Sequence, residues 1–111
     1  MTARLASGLW VQAYMMRCQI EGIAVYVEAR GDATAGAVIV KQCTLDGRAC
    51  AYERRYDILR DTRSWEVLVE GPEAEVDAAL QRARARDPDL WIVAVEDRAG
   101  RHLLDAPGLD G

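Results

Sequence analysis

Apolar and polar residues along the chain repeat with two different periods, and these periods predict two helices and five strands. From Gly8 to Ile20 the apolar residues recur every three to four positions, as they do on the faces of a helix. A second helix is predicted to open at Pro72, because proline suits the first helical position and glutamates follow in the first turn. Asp87-Pro88 ends this helix.

Five stretches have the pattern of strands, since they alternate between apolar and polar residues or are rich in Val and Ile. They are residues 23–30, 35–43, 48–56, 65–70 and 90–95. The last stretch is apolar at every position, which is typical of a central strand that is covered on both faces. Because covering both faces of a sheet requires both helices, we place one helix on each face.

The order of these elements is α-β-β-β-β-α-β. It predicts an α+β fold with a mixed, mostly antiparallel five-stranded sheet, in which the last three elements form a right-handed βαβ unit. The length of 111 residues suits one domain with one core. We therefore predict a single domain over residues 1–111, with a frayed tail over about 105–111.

The first helix carries more apolar surface than one sheet face can cover. The stripe that we assign to the sheet consists of Leu9, Ala13, Met16 and Ile20. A second apolar sector is left over, and it is either buried under loops or exposed to a protein partner, since large apolar patches on a surface usually mark interfaces. The predicted partner surface consists of Trp10, Val11, Tyr14 and Met15.

Composition and charge exclude several classes of protein. Apolar residues make up 50% of the chain and charged residues 29%, which is typical of a globular protein and not of a disordered one. With a net charge of −4, the chain lacks the excess of basic residues by which proteins bind nucleic-acid phosphates, so we predict no nucleic-acid partner. No stretch approaches the roughly 18 apolar residues of a membrane span. Three cysteines, an odd number, suit a reducing compartment and predict a cytoplasmic protein.

Two cysteines flank a predicted hairpin turn at Asp46-Gly47. If the turn has two residues, Cys43 falls opposite Cys50 with the Cα atoms about 5.5 Å apart, within reach of a disulfide. The pair is then either a redox-responsive clip or two reduced thiols side by side. Because structural disulfides are rare in the cytoplasm, the reduced pair is favoured.

Acidic residues end two of the predicted strands. If the fourth and fifth strands run parallel, Glu70, Glu96, Asp97 and Arg98 reach the same edge of the sheet, where open α/β sheets bind ligands. These side chains either hold a small molecule or a divalent cation, or they are solvated charges at strand ends. No other spacing of cysteines or histidine suits a metal, so we predict no cofactor and no dedicated metal site.

The segment from Asp87 to Arg101, DPDLWIVAVEDRAGR, resembles the C-terminal signature of a family of short bacterial proteins known as domain of unknown function fourteen-ninety-one. Residues 8–13, 31–37 and 45–47 are similar to the same family, so the resemblance covers nearly the whole chain. It implies a bacterial, cytoplasmic protein. Since no activity is known for the family, the resemblance assigns no catalytic residue.

Two functions remain open for this chain. The first is a small, cytoplasmic, non-enzymatic interaction module, either a homodimer or the partner of another protein, that uses the surplus apolar sector of the first helix. The second is an enzyme that depends on a small molecule or a divalent metal and has its site at the acidic sheet edge. The sequence favours the first.

Overall fold

The computed structural model describes residues 5–109 and contains, within them, two helices and five strands in the predicted order. The elements are α1 (Ser7–Ile20), β1 (Ala24–Ala29), β2 (Val38–Cys43), β3 (Arg48–Asp57), β4 (Thr62–Pro72), α2 (Glu73–Arg86) and β5 (Trp91–Glu96). The predicted α+β class is confirmed. Neither helix of the described part has the length and apolar character that a membrane crossing requires.

The five strands form one mixed sheet in the order β1-β5-β2-β3-β4. β5 lies antiparallel to β1 and parallel to β2, and the remaining pairs, β2 with β3 and β3 with β4, are antiparallel. β4 and β5 therefore run in the same direction, as predicted, but β3 and β2 lie between them. The chain crosses both of these strands through α2 before it reaches β5.

Alternate residues of β5 belong to two separate apolar clusters, because consecutive side chains of a strand point to opposite faces. Trp91, Val93 and Val95 pack in the cluster that contains the buried side chains of α1. Ile92 packs in the cluster that contains Val76 of α2. This division explains why β5 is apolar at every position, and it is compatible with one helix on each face.

α1 buries the apolar sector that was predicted to be a partner surface. Trp10, Val11 and Tyr14 lie in the core, and Met15 is half-buried against the same cluster. The Tyr14 hydroxyl donates a hydrogen bond of 2.6 Å to the carbonyl of His102, so this buried phenol has a partner. The prediction of a partner surface on these residues is wrong, because large aromatic side chains supply more buried area than Leu, Met or Ala in the same helix.

The end of the described chain packs against the core and does not fray. Leu109 is only 5% exposed and lies in one cluster with Trp10 and Leu104. Its carbonyl accepts a hydrogen bond of 3.2 Å from Nε1 of Trp65. The tail predicted from about residue 105 is thus part of the packed structure as far as residue 109, and residues 110 and 111 lie outside the described residues.

The loop between β1 and β2 wraps around one carbonyl group, that of Asp89. The N–H of Asp32 donates to this carbonyl at 2.9 Å, and the carbonyl of Asp32 accepts a bond of 2.7 Å from Nε1 of Trp91. A Cβ atom at Gly31 or at Gly36 would lie 2.1 or 2.2 Å from the Asp89 oxygen. Both positions therefore require glycine, because there is no room for a Cβ atom.

Candidate functional site

The two cysteines of the β2–β3 hairpin lie on opposite faces of the sheet. Cys43 pairs with Ala49, and Cys50 pairs with Gln42. The register differs by one residue from the predicted one, and a shift of one residue turns a side chain to the other face. The predicted placement of Cys43 opposite Cys50 is wrong, so the two residues do not form the redox pair that it allowed, and the three cysteines of the described structure are free.

The register differs because the hairpin turn contains three residues. Leu45 and Gly47 both have a positive φ, 63° and 87°. The Asp46 carboxylate lies between the two strand ends and accepts hydrogen bonds from the Thr44 hydroxyl at 2.6 Å and from the Arg48 N–H at 3.2 Å. The side chain of Asp46 thus closes a turn longer than the two residues that Asp-Gly indicates.

The thiols of this chain are protonated at neutral pH. Burial raises the pKa of Cys43 to about 12, and it also raises the pKa of Cys18 and of Cys50. Because the thiolate is the nucleophile and the metal ligand, none of the three is activated for catalysis.

The acidic residues of the predicted ligand or metal edge do not come together. Glu70 and Glu96 reach the same end of the sheet, but they lie three strand spacings apart, roughly 14 Å at about 4.8 Å per spacing. Asp97 forms an ion pair of 3.0 Å with Arg101, whose hydrogen bonds lower the pKa of that carboxyl, and Arg98 is exposed. Among residues 5–109, no group of three or more His, Cys, Asp and Glu side chains is placed to hold a metal.

A cleft of about 770 Å³ opens at the opposite end of the sheet, where β2 and β5 begin. Its walls come from the first turn of α1, the loop before β2, the β3–β4 hairpin and the end of α2, and its volume is within the range of ligand pockets. Two of its polar side chains bind other parts of the chain. The Ser7 hydroxyl donates to the Gly36 carbonyl at 2.5 Å, and the Glu53 carboxylate pairs with Arg55 at 2.8 Å.

Arg54 lies against two aromatic rings at the border of this cleft. Its guanidinium carbon is 5.0 Å from the ring of Trp10 and 4.7 Å from the ring of Trp65, which are cation–π distances. Trp10 also stacks on Tyr14, with ring centroids 4.9 Å apart. Through these contacts α1 packs against Arg54 of β3 and Trp65 of β4, so the four side chains stabilise the fold.

Lys41, the only lysine of the chain, was not among the predicted site residues. Its ammonium nitrogen lies 2.6 Å from a Glu28 carboxylate oxygen and 2.8 Å from one of Asp77, so it ties β1, β2 and α2 together. Burial lowers its pKa, but the hydrogen bonds to Asp77 and Glu28 outweigh burial and leave the pKa above its ordinary value. A lysine that stays protonated cannot act as a nucleophile. One signal in the sequence could have identified this residue, because Lys41 is the single charged residue in the predicted strand over residues 35–43.

The outer face of α1 is apolar and exposed to solvent. Leu9 is 56% exposed, Met16 63% and Ile20 73%, and Ala13 between them is exposed as well. These four residues, here called the outer stripe, lie within about 60° of the helix circumference. They are the stripe that the sequence assigned to the sheet, so the two faces of α1 are exchanged relative to the prediction. Their exposure creates an apolar surface opposite the buried face.

Comparison with known proteins shows one family. Residues 5–105 match the family model described as a protein of unknown function, DUF1491. A comparison with curated proteins gives no match. The crystal structure of a DUF1491 family protein from Caulobacter crescentus CB15 is similar, with 37% sequence identity, a TM-score of 0.81 and coverage of 93% of this chain and 95% of that one.

Two structures determined by NMR or in solution are also similar. One is of a DUF1491 family protein from the same organism, at 36% identity and a TM-score of 0.80, and it covers 91% of this chain and 93% of that one. The other, of a protein from A. tumefaciens, is 33% identical with a TM-score of 0.72, over 85% of this chain and 86% of that one. The resemblance found in the sequence is thereby confirmed.

Proposed function

Since the chain belongs to the DUF1491 family, which is described only as a protein of unknown function, we propose that it is a non-enzymatic protein-interaction module that docks through the outer stripe of α1. The observation that carries this proposal is the exposure of three large apolar side chains on one helix face, while the opposite face of the same helix is in the core. Contiguous exposed apolar patches on small proteins usually mark binding surfaces.

The chemistry of the outer stripe defines the kind of surface that it can bind. The four residues of the outer stripe carry no charge, the exposed Gln12 and Gln19 lie along one border, and the exposed Arg17 lies along the other. An apolar helix face or groove would cover the stripe without burying an unpaired charge if its rim leaves Arg17 in water or pairs it with a carboxylate. The partner that fits is therefore a protein and not a nucleic acid or an ionic ligand.

The remaining residues support a role without catalysis. The thiols and Lys41 are protonated, and the carboxylates of the predicted edge are held apart. Cys43 and Cys50 stand on different faces as free thiols, which fits our placement of the protein in the bacterial cytoplasm.

In-cell photo-crosslinking tests the docking surface. A photo-reactive amino acid in place of Met16 should give a discrete covalent adduct with a protein, because Met16 lies in the centre of the proposed contact. The matched control carries the same amino acid in place of Leu59, an apolar residue that is 94% exposed on the β3–β4 hairpin. No adduct at position 16, or the same adducts at both positions, would contradict the proposal.

A further inference from the structure

We infer that residues 102–109, here called the strap, open as a unit when His102 takes up a proton, and that they then uncover aromatic side chains of the sheet beneath them. The inference is independent of the docking surface on α1. It follows from the way the strap is attached, from the backbone at Leu103 and from the surroundings of the His102 ring.

The strap is attached by side chains and short turns, and not by the sheet. Its backbone forms neither helix nor strand over residues 102–109. Two backbone bonds of 3.0 Å close its turns, from the N–H of Ala106 to Leu103 and from the N–H of Leu109 to Ala106. The hydroxyl of Tyr14 and Nε1 of Trp65 donate to carbonyls at its two ends. A segment attached in this way can open while the strands stay paired.

The strap begins with a strained residue. Leu103 has a φ of 58°, in the left-handed region where a residue with a Cβ atom is uncommon. Such a conformation persists only where its surroundings hold it. A hydrogen bond of 3.0 Å spans Leu103, from the N–H of Leu104 to Nδ1 of His102. This bond fixes the backbone at the point where the strap begins.

Protonation of His102 removes this bond. Nδ1 accepts the Leu104 N–H only while it carries no proton, because a protonated imidazole donates from both nitrogens. The ring also packs on that of Tyr52, with centroids 4.7 Å apart, and burial lowers the pKa of the imidazole. Proton uptake therefore breaks the bond and places a charge in a half-buried site, and both effects favour the open strap.

The groups around the His102 ring do not hold the proton in the closed strap. Glu70 of β4 lies close enough to the β3 phenol to raise its pKa, and Arg101 is paired with Asp97 at 3.0 Å. Within the strap, Asp105 favours the protonated ring, but burial has the larger effect. The other elements contribute neutral groups, two phenols and two thiols whose pKa burial raises, and these are Tyr14 and Cys18 of α1 and Tyr52 and Cys50 of β3.

Opening of the strap uncovers the part of the sheet that α1 leaves free on the same face. Leu104 and Leu109 are buried there in one cluster, and the rings of Tyr52 and Trp65 pack against that cluster from β3 and β4. Both rings lose a neighbour when the strap opens, since His102 lies on Tyr52 and the Leu109 carbonyl lies on Nε1 of Trp65. The strap is thus a pH-dependent cover over these aromatic side chains.

Amide hydrogen exchange measured by NMR at pH 7.5 and 5.5, corrected for the intrinsic effect of pH, tests the strap. The amides of Leu104, Ala106 and Leu109 should be roughly a hundredfold or more less protected than that of Val93, because β5 stays paired when the strap opens. Their protection should fall up to about tenfold between the two pH values, since an open strap whose His102 has the ordinary pKa of about 6.5 gains that much population.

His102→Gln is the matched control, because its amide accepts a hydrogen bond but does not titrate in this range. The protection of the strap amides in this variant should be the same at both pH values. Equal protection of the strap and of Val93 in the wild-type chain would show that the strap does not open as a unit, and wild-type protection that does not change with pH would overturn the inference without the variant. An equal fall in His102→Gln would exclude His102 as the trigger.

Discussion

Gly31 and Gly36 lie on either side of the carbonyl oxygen of Asp89, where a side chain of any size would collide with the backbone. The same loop reaches α1, because the N–H of Gly8 donates to the Ala33 carbonyl at 2.8 Å. Three of the four segments that resemble the family, residues 8–13, 31–37 and 87–101, therefore meet at this point. In this chain they are held together there by backbone hydrogen bonds and by the close approach of Gly31 and Gly36 to Asp89.

Gly36→Ala should lower the free energy of unfolding by about 2–4 kcal/mol, because the new Cβ lies 2.2 Å from the Asp89 oxygen and the backbone must move. Urea denaturation followed by circular dichroism measures the change. Gly8→Ala is the matched control, since its Cβ would meet only ordinary contacts of 3.4 Å and longer. An equal loss in both variants would show that helix or loop propensity, and not the contact with Asp89, is responsible.

His102, the only histidine, should make the protein less stable in mild acid. Burial lowers its pKa, an effect that Asp105 only partly opposes, and its Nδ1 accepts a hydrogen bond of 3.0 Å from the Leu104 N–H. The unfolded chain thus takes up the proton first, so stability is full above about pH 6.5 and is lost as the pH falls toward the lower pKa of the folded state.

An NMR titration of the His102 ring protons should give a midpoint below 6.5, and no other imidazole complicates the spectrum. Between pH 7 and 5 the wild-type chain should lose more stability than His102→Gln, which has no ring to protonate. A midpoint at or above 6.5 would contradict the buried, neutral imidazole.

α1 shows what the sequence could and could not predict for an element. The helix itself was predicted almost to the residue, because apolar periodicity is a local signal. Which apolar face is buried depends on what packs against it, and both faces of α1 are apolar. Trp10 and Tyr14 lie in the core, where the Tyr14 hydroxyl has a hydrogen-bond partner. The residues of the outer stripe are exposed.

Substitutions on the two faces of α1 should therefore have very different effects on the free energy of unfolding. Tyr14→Ala removes a fully buried ring and should reduce the free energy of unfolding by roughly 3–5 kcal/mol. Met16→Ala, two residues further along and on the opposite, exposed face of the helix, should change it by less than about 0.5 kcal/mol. Similar losses for both would mean that the faces are assigned wrongly.

At the scale of the whole molecule, the sequence predicted the fold class and the sequence of elements but not the neighbours of each strand. The Asp46-Gly47 turn correctly predicted that β2 pairs with β3, but local patterns carry no information about pairing between strands that no tight turn connects, and here β5 lies between β1 and β2. The separation of Glu70 from Glu96 depends on such pairings and the hairpin register on the length of its turn, so the redox pair and the acidic edge could not be judged from spacing alone. The packed chain end was missed because Leu104 and Leu109 lie among turn residues, in a segment without helix or strand periodicity.

That chain end should contribute to the stability of the whole fold. Leu104→Ala removes a side chain that is buried in the same cluster as α1 and should lower the free energy of unfolding by about 2–5 kcal/mol. Leu59→Ala makes the same change at an exposed position and should have little effect. Thermal unfolding of the two variants side by side gives the comparison, and an unaltered melting temperature for Leu104→Ala would show that the end of the chain is dispensable.

The position of β5 also determines when this protein can fold during synthesis. β1 is made first, but within residues 5–109 it pairs with β5 alone, the last of the five strands to leave the ribosome. Until then β1 has no strand to pair with, whereas α1 can already pack on the meander from β2 to β4, because its Trp10 lies in one cluster with Val40 and contacts the ring of Trp65. The nascent chain must therefore remain incomplete for most of its translation and close in a late step, as β5 inserts between two strands that already exist.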